Sequence, residues 1–434
     1  MATKHNFVLL AAAGLFLASV NGCAVDTGSQ QLDDTEWVGD NSFEVNTVFR
    51  ATLEHVATGD YADLATNEEK QAEVIASHIS YAKNRMKKAD FQVNLMPDSI
   101  LSAEVMVEGD TVRIHYEASV DMIRKAVPRR DVGAPGDLPE TQFEAIIPAD
   151  PIDVYEKAGA TCASDYGNYT LTEYKYYFYF NPEADGCTIP MTTGSIEVVK
   201  VYPNPEVYPE YDRLLGELDN GTRGFFAAIL PNRGDNDPKS RFDAHRRELD
   251  RLTGVDASVE DRFLRYVWVE GGATIVVDLF DPTVGYFADT FHEALGHYQF
   301  VYYNGHSNYG HQPFLSNKDA YSDEYQIIGM HSCQSYAYYT GQVAEGKATA
   351  EDPTGFVNSD IIATGRSSYP GDSPDVMSVV LGGLMSGLTA VTSGRPASAP
   401  SWQEIGKGMR KVAPSILYGV AGARHNAWRP TAAP

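Results

Sequence analysis

Two chemically reactive side chains follow two apolar runs in the second half of the chain. The first run, residues 298–303, leads into His306, and the second, residues 325–330, leads into Cys333. Both runs are rich in β-branched and aromatic residues, which is typical of buried strands. If the strands lie parallel in one sheet, their carboxyl ends are neighbours at the edge where open α/β sheets place their sites. An imidazole beside a thiol is the minimum requirement for covalent thiol catalysis.

The elements that must position these two residues alternate between strands and helices from residue 204 onward. Asp237 and Pro238 are typical of a helix N-terminus, with Asp as N-cap and Pro in the first turn. Phe287, Phe291 and Leu295 recur at intervals of four and predict an amphipathic helix. Further strands are expected at 224–230, within 264–280 and at 360–364, and further helices at 335–345 and 376–388. This alternation predicts an α/β fold with a mainly parallel sheet flanked by helices on both faces.

The preceding part of the chain, residues 41–203, is predicted to form an N-terminal domain of α+β or β-rich type. Its expected elements are a helix at 68–88, a hairpin that turns at the Glu-Gly-Asp sequence 108–110, and strands at 174–180 and 195–202. The Pro-Asn-Pro sequence 203–205 marks the predicted boundary. The second domain then covers 204–434. With 43% hydrophobic residues, both domains can bury sizeable cores.

The setting of His306 and Cys333 resembles that in the caspase-like superfamily of cysteine peptidases, which includes the caspase, legumain, gingipain and clostripain types. In that superfamily the base follows a hydrophobic strand in a His-Gly or Gly-His-small motif, and the cysteine ends the next strand. The sequences YYNGHS at 302–307 and IIGMHSC at 327–333 match this layout in order and setting. The resemblance covers residues 220–395 and implies a caspase-like α/β domain.

The resemblance also implies roles for individual residues. The Cys333 thiolate would attack a peptide carbonyl and form a thioester acyl-enzyme, favoured by the N-terminus of a following helix. His306 would protonate the leaving amine and activate water. The backbone N–H groups of Cys333 and Ser307 would form the oxyanion hole, although many members of the superfamily have glycine at the position of Ser307. The substrate would be a peptide or protein, no cofactor would be required, and His331 is interpreted as structural.

A competing metal motif lies just before the first strand. His292, Glu293 and His297 form H-E-x-x-x-H, one residue longer than the H-E-x-x-H signature of zinc peptidases. The segment resembles the His-Glu-Leu-Leu-Gly-His motif of dipeptidyl peptidase III, which implies a zinc metallopeptidase as an alternative. That family's downstream Glu-Glu-Cys-Arg-Ala motif is absent from the sequence. On a regular helix, positions i and i+5 are roughly 140° apart, which disfavours a shared zinc ion.

The first residues have the features of an export signal. Lys4 precedes an apolar stretch at 7–20, which suits a secretory signal peptide over residues 1–22. The stretch ends Val-Asn-Gly-Cys, which resembles a bacterial lipobox in which Cys23 would be lipidated. The acidic, polar residues 23–40 are interpreted as a tether. The sequence therefore predicts an exported lipoprotein of the bacterial cell envelope, held at the membrane through its lipid anchor only, with its body in the periplasm or outside the cell.

Three cysteines remain once Cys23 is assigned to the lipid anchor, and their expected states differ. Cys162 and Cys187 lie in loop-like stretches, and an oxidising compartment would allow them to form a disulfide. Cys333 is then left over, as either an inert buried cysteine or a reactive thiol.

The net charge of −25 disfavours nucleic acid and anionic lipid surfaces as partners, because both would be repelled. The sequence carries no indication of oligomeric state. A third hypothesis, besides the cysteine and zinc peptidases, is a non-catalytic surface lipoprotein that keeps the same sheet.

Overall fold

The structure is a computed structural model. It describes residues 43–88, 91–124, 142–167, 170–202, 206–217, 223–232, 237–365 and 367–430. The predicted signal peptide, the predicted tether and Cys23, the predicted site of lipidation, lie outside these residues. Within them the chain has an α/β fold with two β-sheets, of which the first uses residues before 203 and the second uses residues after 215.

The first sheet is antiparallel and has the strand order β2-β3-β1-β5-β4. Its strands are β1 (Phe43–Val56), β2 (Phe91–Glu108), β3 (Thr111–Arg124), β4 (Gln142–Pro148) and β5 (Met191–Tyr202). The expected hairpin is present, since β2 and β3 pair around Gly109, whose φ of 64° suits a glycine turn. Helix α1 (Glu68–Lys88), at the predicted place, packs on the inner face of this sheet and buries Val74, Ile75 and Ile79.

The segment between β4 and β5 contains α2 (Val154–Ala158) and α3 (Glu173–Tyr179). The predicted disulfide between Cys162 and Cys187 is present and closes this segment. The strand predicted at 174–180 is wrong, because these residues form α3. Tertiary packing overrides their β-propensity: as a helix the segment brings Tyr176 and Phe180, one turn apart, to 6.4 and 4.9 Å from the ring of Tyr81 in α1.

The second sheet is mixed and has the order β14-β13-β12-β11-β7-β10-β9-β8, with β6 beside β7. The five neighbouring strands β13, β12, β11, β7 and β10 run parallel, and the antiparallel strands lie at both edges. The strands are β6 (Gly216–Glu217), β7 (Arg223–Pro231), β8 (Ser258–Val259), β9 (Phe263–Glu270), β10 (Ala273–Phe280), β11 (Phe300–Asn304), β12 (Gln326–His331), β13 (Ser359–Thr364) and β14 (Tyr418–Ala421). Every residue of β11, β12 and β13 is buried, as expected for parallel strands covered on both faces.

Among the described residues, five further α-helices cover the second sheet. They are α4 (Pro238–Thr253), α5 (Phe287–His297), α6 (Ser335–Lys347), α7 (Ser373–Thr392) and α8 (Trp402–Val412). Helices α5 and α6 pack on one face, in a core that continues into the first sheet, and α4, α7 and α8 pack on the other. The expected cap at the start of α4 is present, because the Asp237 carboxylate accepts from Ser240 N–H at 2.9 Å.

Helix α7 is long and apolar enough to cross a membrane by length and composition alone. It nevertheless buries twelve residues, among them Val376, Leu381 and Leu388, against the sheet and its neighbouring helices. This burial agrees with its interpretation as a core helix.

Three buried histidines make the stability of this fold sensitive to acid. Burial lowers the pKa values of His78, His245 and His331 to about 4. Each stays neutral in the folded protein between pH 6.5 and 4 but binds a proton when the chain unfolds, so its stabilising contribution is complete above pH 6.5 and is lost as the pH falls toward 4. Burial raises the pKa of Asp360 to about 7, and this group acts in the opposite direction over the same range.

We expect replacement of His78 by glutamine to flatten the acid limb of the stability profile. The free energy of unfolding of the variant should fall less steeply between pH 6.5 and 4.5, by up to about 1.4 kcal/mol per pH unit, since one fewer proton is taken up on unfolding. Urea unfolding at half-unit pH steps measures this slope. Parallel profiles for the two proteins would show that His78 does not titrate in this way.

Candidate functional site

The carboxyl ends of β11 and β12 lie side by side, as the sequence predicts. The two strands pair in parallel with Asn304 opposite His331, and the next residue, Gly305, donates its N–H to the His331 carbonyl at 3.3 Å. His306 and Cys333 each come two residues after this pair. The register therefore places the two strand ends that lead into the predicted catalytic residues side by side on one edge of the sheet.

The backbone at His306 is held by side chains that the sequence did not single out. Its carbonyl oxygen accepts hydrogen bonds from the Tyr303 hydroxyl at 2.8 Å and from Gln312 Nε2 at 2.5 Å. The Tyr303 hydroxyl also accepts from Asn232 Nδ2 at 2.8 Å. The carbonyl of the next residue, Ser307, accepts from the Tyr339 hydroxyl. No spacing rule links these residues, since they come from separate elements.

Gly305 is required by this arrangement. A Cβ atom there would lie 2.4 Å from the Tyr303 hydroxyl oxygen and 2.6 Å from Asn232 Cβ. We expect Gly305→Ala to destabilise the protein by about 1–3 kcal/mol, the usual cost of overpacking, and to displace the group that holds the His306 carbonyl. Urea unfolding measures the loss. Gly382→Ala in α7 is the matched control, because its Cβ would meet only a methyl group at 3.5 Å. Equal stability of both variants would contradict the prediction.

Cys333 lies in the turn between β12 and α6. The helix begins at Ser335, and the intervening Gln334 has a φ of 52°. The Cys333 side chain is buried, with 6% of its surface exposed, and its sulfur lies 3.8 Å from the Ser368 carbonyl oxygen. The first amide of α6, that of Ser335, donates to the Ser332 carbonyl at 3.3 Å and lies 3.4 Å from the Thr364 hydroxyl oxygen.

The sulfur of Cys333 is oxidised in the structure. Cys333 is disulfide-bonded, and no cysteine among the described residues carries a free thiol. Thiol chemistry at Cys333 therefore requires reduction.

His331 has the contacts of a structural residue. Its Nε2 lies 3.1 Å from the Tyr369 carbonyl, which can only accept, so Nε2 carries the proton. Its Nδ1 then accepts from the Tyr418 hydroxyl at 3.3 Å. Both ring nitrogens are thus occupied, and burial lowers the pKa of His331 to about 4. His331 contacts Tyr369, and Cys333 contacts the preceding residue, Ser368. These contacts put the two side chains on the same face of the sheet.

Strained backbone is concentrated beside the two candidate catalytic residues. Among the described residues, four that are not glycine have positive φ, and three of them are Asn308, Tyr309 and Gln334. Asn308 and Tyr309 follow His306 closely, and Gln334 follows Cys333. Each such residue costs on the order of 1 kcal/mol and persists only where the surroundings enforce it, which is common at active sites. The sequence carries no signal for this strain, because none of the three is glycine.

The residues of the zinc alternative are engaged in other contacts. Helix α5 is continuous from Phe287 to His297, and His297 is exposed at its end. His292 Nε2 donates to the Phe314 carbonyl at 3.0 Å, and both oxygens of Glu293 bind Arg262 at 2.7 and 2.9 Å. Within the described part of the chain, no group of three His, Cys, Asp or Glu is arranged to hold a metal ion. The geometry therefore gives the zinc alternative no support.

A polar group is buried without a partner at the same edge of the sheet. Asn304 accepts a hydrogen bond from Arg241 of α4 at 3.1 Å through Oδ1, while its Nδ2 has no acceptor. Arg241 reaches the sheet from the face that carries α4 and α7. This face also bears His331 and the Cys333 sulfur, so the edge combines charged, polar and oxidisable groups.

Comparisons with protein-family models, with curated proteins and with solved structures give no match for this chain. The inference of its function therefore rests on the geometry of the site itself.

Proposed function

We propose that the protein is a caspase-like cysteine peptidase that acts when Cys333 is a thiol. The observation that carries the proposal is the register of β11 and β12, which pairs Asn304 with His331 and so aligns His306 with Cys333. At these strand ends the rings of Tyr302 and His331 lie on one face of the sheet, with centroids 6.3 Å apart, and His306 and Cys333 each follow two residues after the last paired residues.

Other features of the edge support the same chemistry. The five parallel strands agree with the layout of the superfamily, in which base and nucleophile end neighbouring strands. The turn from β12 into α6 places Cys333 two residues before a helix N-terminus, and hydrogen bonds hold the His306 backbone. Such preorganisation is what covalent catalysis requires.

The proposed reaction is peptide hydrolysis in two steps. The Cys333 thiolate attacks the scissile carbonyl carbon, and the resulting oxyanion is stabilised by the N–H groups of Cys333 and Ser307, each worth roughly 3 kcal/mol. The C–N bond breaks as His306 transfers a proton to the leaving amine. His306 then removes a proton from water, which attacks the thioester, and the C–S bond breaks to release the acid and the thiolate.

Site-specific labelling tests the proposal. The full chain is reduced and treated with a peptidyl acyloxymethyl ketone, and the modified residue is identified by peptide mass spectrometry. We expect a single adduct on Cys333, because His306 would activate this thiol as the nucleophile. Labelling spread equally over Cys162, Cys187 and Cys333 would contradict an activated nucleophile.

The disulfide at Cys333 favours a second candidate, a non-catalytic surface protein in which this cysteine is structural. The two candidates differ in the same experiment. A structural Cys333 would remain unreactive toward the peptidyl probe after reduction, and its reduction would lower the melting temperature without producing hydrolysis.

A further inference from the structure

A short helix of the N-terminal domain lies on the loop that follows His306. The loop, residues 307–311, is contacted by α3 through a cluster of aromatic rings. The Tyr179 hydroxyl donates to the Tyr309 hydroxyl at 3.0 Å, and their ring centroids are 5.6 Å apart. The Phe178 ring lies 5.1 Å from that of Tyr309, and Lys175 Nζ lies 5.3 Å from the Tyr309 ring centroid. Tyr309 is therefore enclosed by α3 on several sides.

A second contact extends this interface along the loop. The rings of Tyr174 and His311 are stacked, with centroids 4.2 Å apart and planes inclined by 24°. Contacts at both Tyr309 and His311 fix the orientation of the loop against α3. We call Tyr174, Lys175, Phe178 and Tyr179 the α3 clamp.

The loop needs such support because its conformation is unfavourable in isolation. Asn308 and Tyr309 have φ values of 44° and 55°, and Gly310 follows at 90°. Two successive residues other than glycine in the left-handed region return to ordinary backbone conformations unless their surroundings hold them. The change would begin two residues after His306.

The other side of the loop is held by α6, the helix that starts beside Cys333. The Tyr339 hydroxyl donates to the Ser307 carbonyl, and Gln342 Nε2 donates to the Gly310 carbonyl at 3.3 Å. The loop is thus enclosed between an element tied to the nucleophile and an element of the other domain. Both contact the segment that directly follows His306.

Helix α3 is itself anchored within its own domain. Its segment is closed by the Cys162–Cys187 disulfide, and Tyr177 packs on Tyr81 of α1 at 4.7 Å and lies 3.1 Å from the Ser77 hydroxyl. The clamp is therefore a rigid element, and its position is set by the first sheet and α1.

We propose that the α3 clamp is a positioning element for His306, and that Tyr309 is the positioning residue through which the N-terminal domain controls the Cys333–His306 pair. The proposal rests on the proposed function and assigns the N-terminal domain a part in it. Tyr309 touches neither substrate nor sulfur in this scheme. It keeps the loop in the one backbone conformation that leaves the His306 imidazole beside the thiolate.

The pH dependence of Cys333 alkylation tests this without relying on hydrolysis. The full chain with Cys23→Ser is used, so that Cys333 is the only unpaired cysteine. Iodoacetamide reacts with the thiolate, and a neighbouring imidazolium extends its reaction to acid pH. We expect Tyr309→Ala to lower the alkylation rate at pH 6 at least tenfold while leaving the rate at pH 9 within twofold. Tyr309→Phe, which keeps the ring against Phe178, should restore the rate at pH 6 to within threefold.

A control variant separates positioning from general loss of stability. Phe263→Ala removes a half-buried ring of β9 that pairs with Phe280 at 5.1 Å, and β9 lies three strands away from β11 in the sheet. It should lower the melting temperature and leave the pH profile unchanged. An acid limb that is equally lost in Phe263→Ala, or retained in Tyr309→Ala, would overturn the positioning role. Absence of any acid limb in the Cys23→Ser parent would instead overturn the proposed catalytic pair.

Discussion

Replacing Cys333 by alanine is expected to abolish peptide hydrolysis by the reduced protein. The physical reason is that alanine has no nucleophilic atom with which to form the acyl-enzyme, and that the nearby His331 has both ring nitrogens bonded. The expected loss is at least about 10⁴-fold in kcat/KM, as is usual when a nucleophile is removed. The measurement is the hydrolysis of a mixed library of fluorogenic peptides, because peptide specificity depends on loops around the site.

The redox state of Cys333 supplies the control for this prediction. The full chain with Cys23→Ser should hydrolyse the library without reductant, because its remaining disulfide joins Cys162 and Cys187. Its activity should be lost when Cys333→Ala is added. Activity that survives in the double variant would show that catalysis takes place elsewhere, and equal inactivity of both proteins would favour the structural candidate.

The second large effect is expected at His306. We expect His306→Ala to lower the acylation rate by roughly 10²–10⁴-fold, because the leaving amine would lose its proton donor and the thiolate its counter-charge. The backbone of this segment should keep its place, since the His306 carbonyl accepts hydrogen bonds from Tyr303 and Gln312 in either protein. Stopped-flow acylation of the reduced protein measures the rate, and thermal unfolding checks the fold.

His331→Gln is the matched control, since it alters the other imidazole near the sulfur. It removes a buried side chain bonded to Tyr369 and Tyr418, and the expected cost is about 1–3 kcal/mol of stability. Acylation by the folded fraction should stay within about tenfold of the parent. A folded His331→Gln protein as inactive as His306→Ala would reverse the assignment of the base.

Much of the second domain could be predicted because its signals are local. Helices α4, α5 and α7 have apolar periodicity or caps that can be read within a single turn, and β11 and β12 are short continuous apolar runs. Local signals also gave the one wrong strand prediction, at the aromatic residues that form α3. Its composition favours a strand, while packing against Tyr81, nearly a hundred residues away in sequence, selects a helix.

In the candidate site, too, some features can be read from the local sequence and others depend on tertiary packing. His306 and Cys333 can be found from their places after apolar runs, and the Cys162–Cys187 disulfide from the loops that contain them. The hydrogen bonds of Tyr303, Gln312 and Tyr339 could not be found, because each depends on which elements meet in space. The oxidation of Cys333 is a property of the same kind.

By itself the sequence determined which residues carry reactive groups and which segments bury apolar surface, since both depend on residue type and short-range periodicity. Only the tertiary structure decided that β11 and β12 are parallel neighbours, that the loop after His306 is held between α3 and α6, and that the zinc motif is engaged in other contacts. These are long-range pairings whose free energy arises from surfaces brought together by the fold, so no local pattern of residues encodes them.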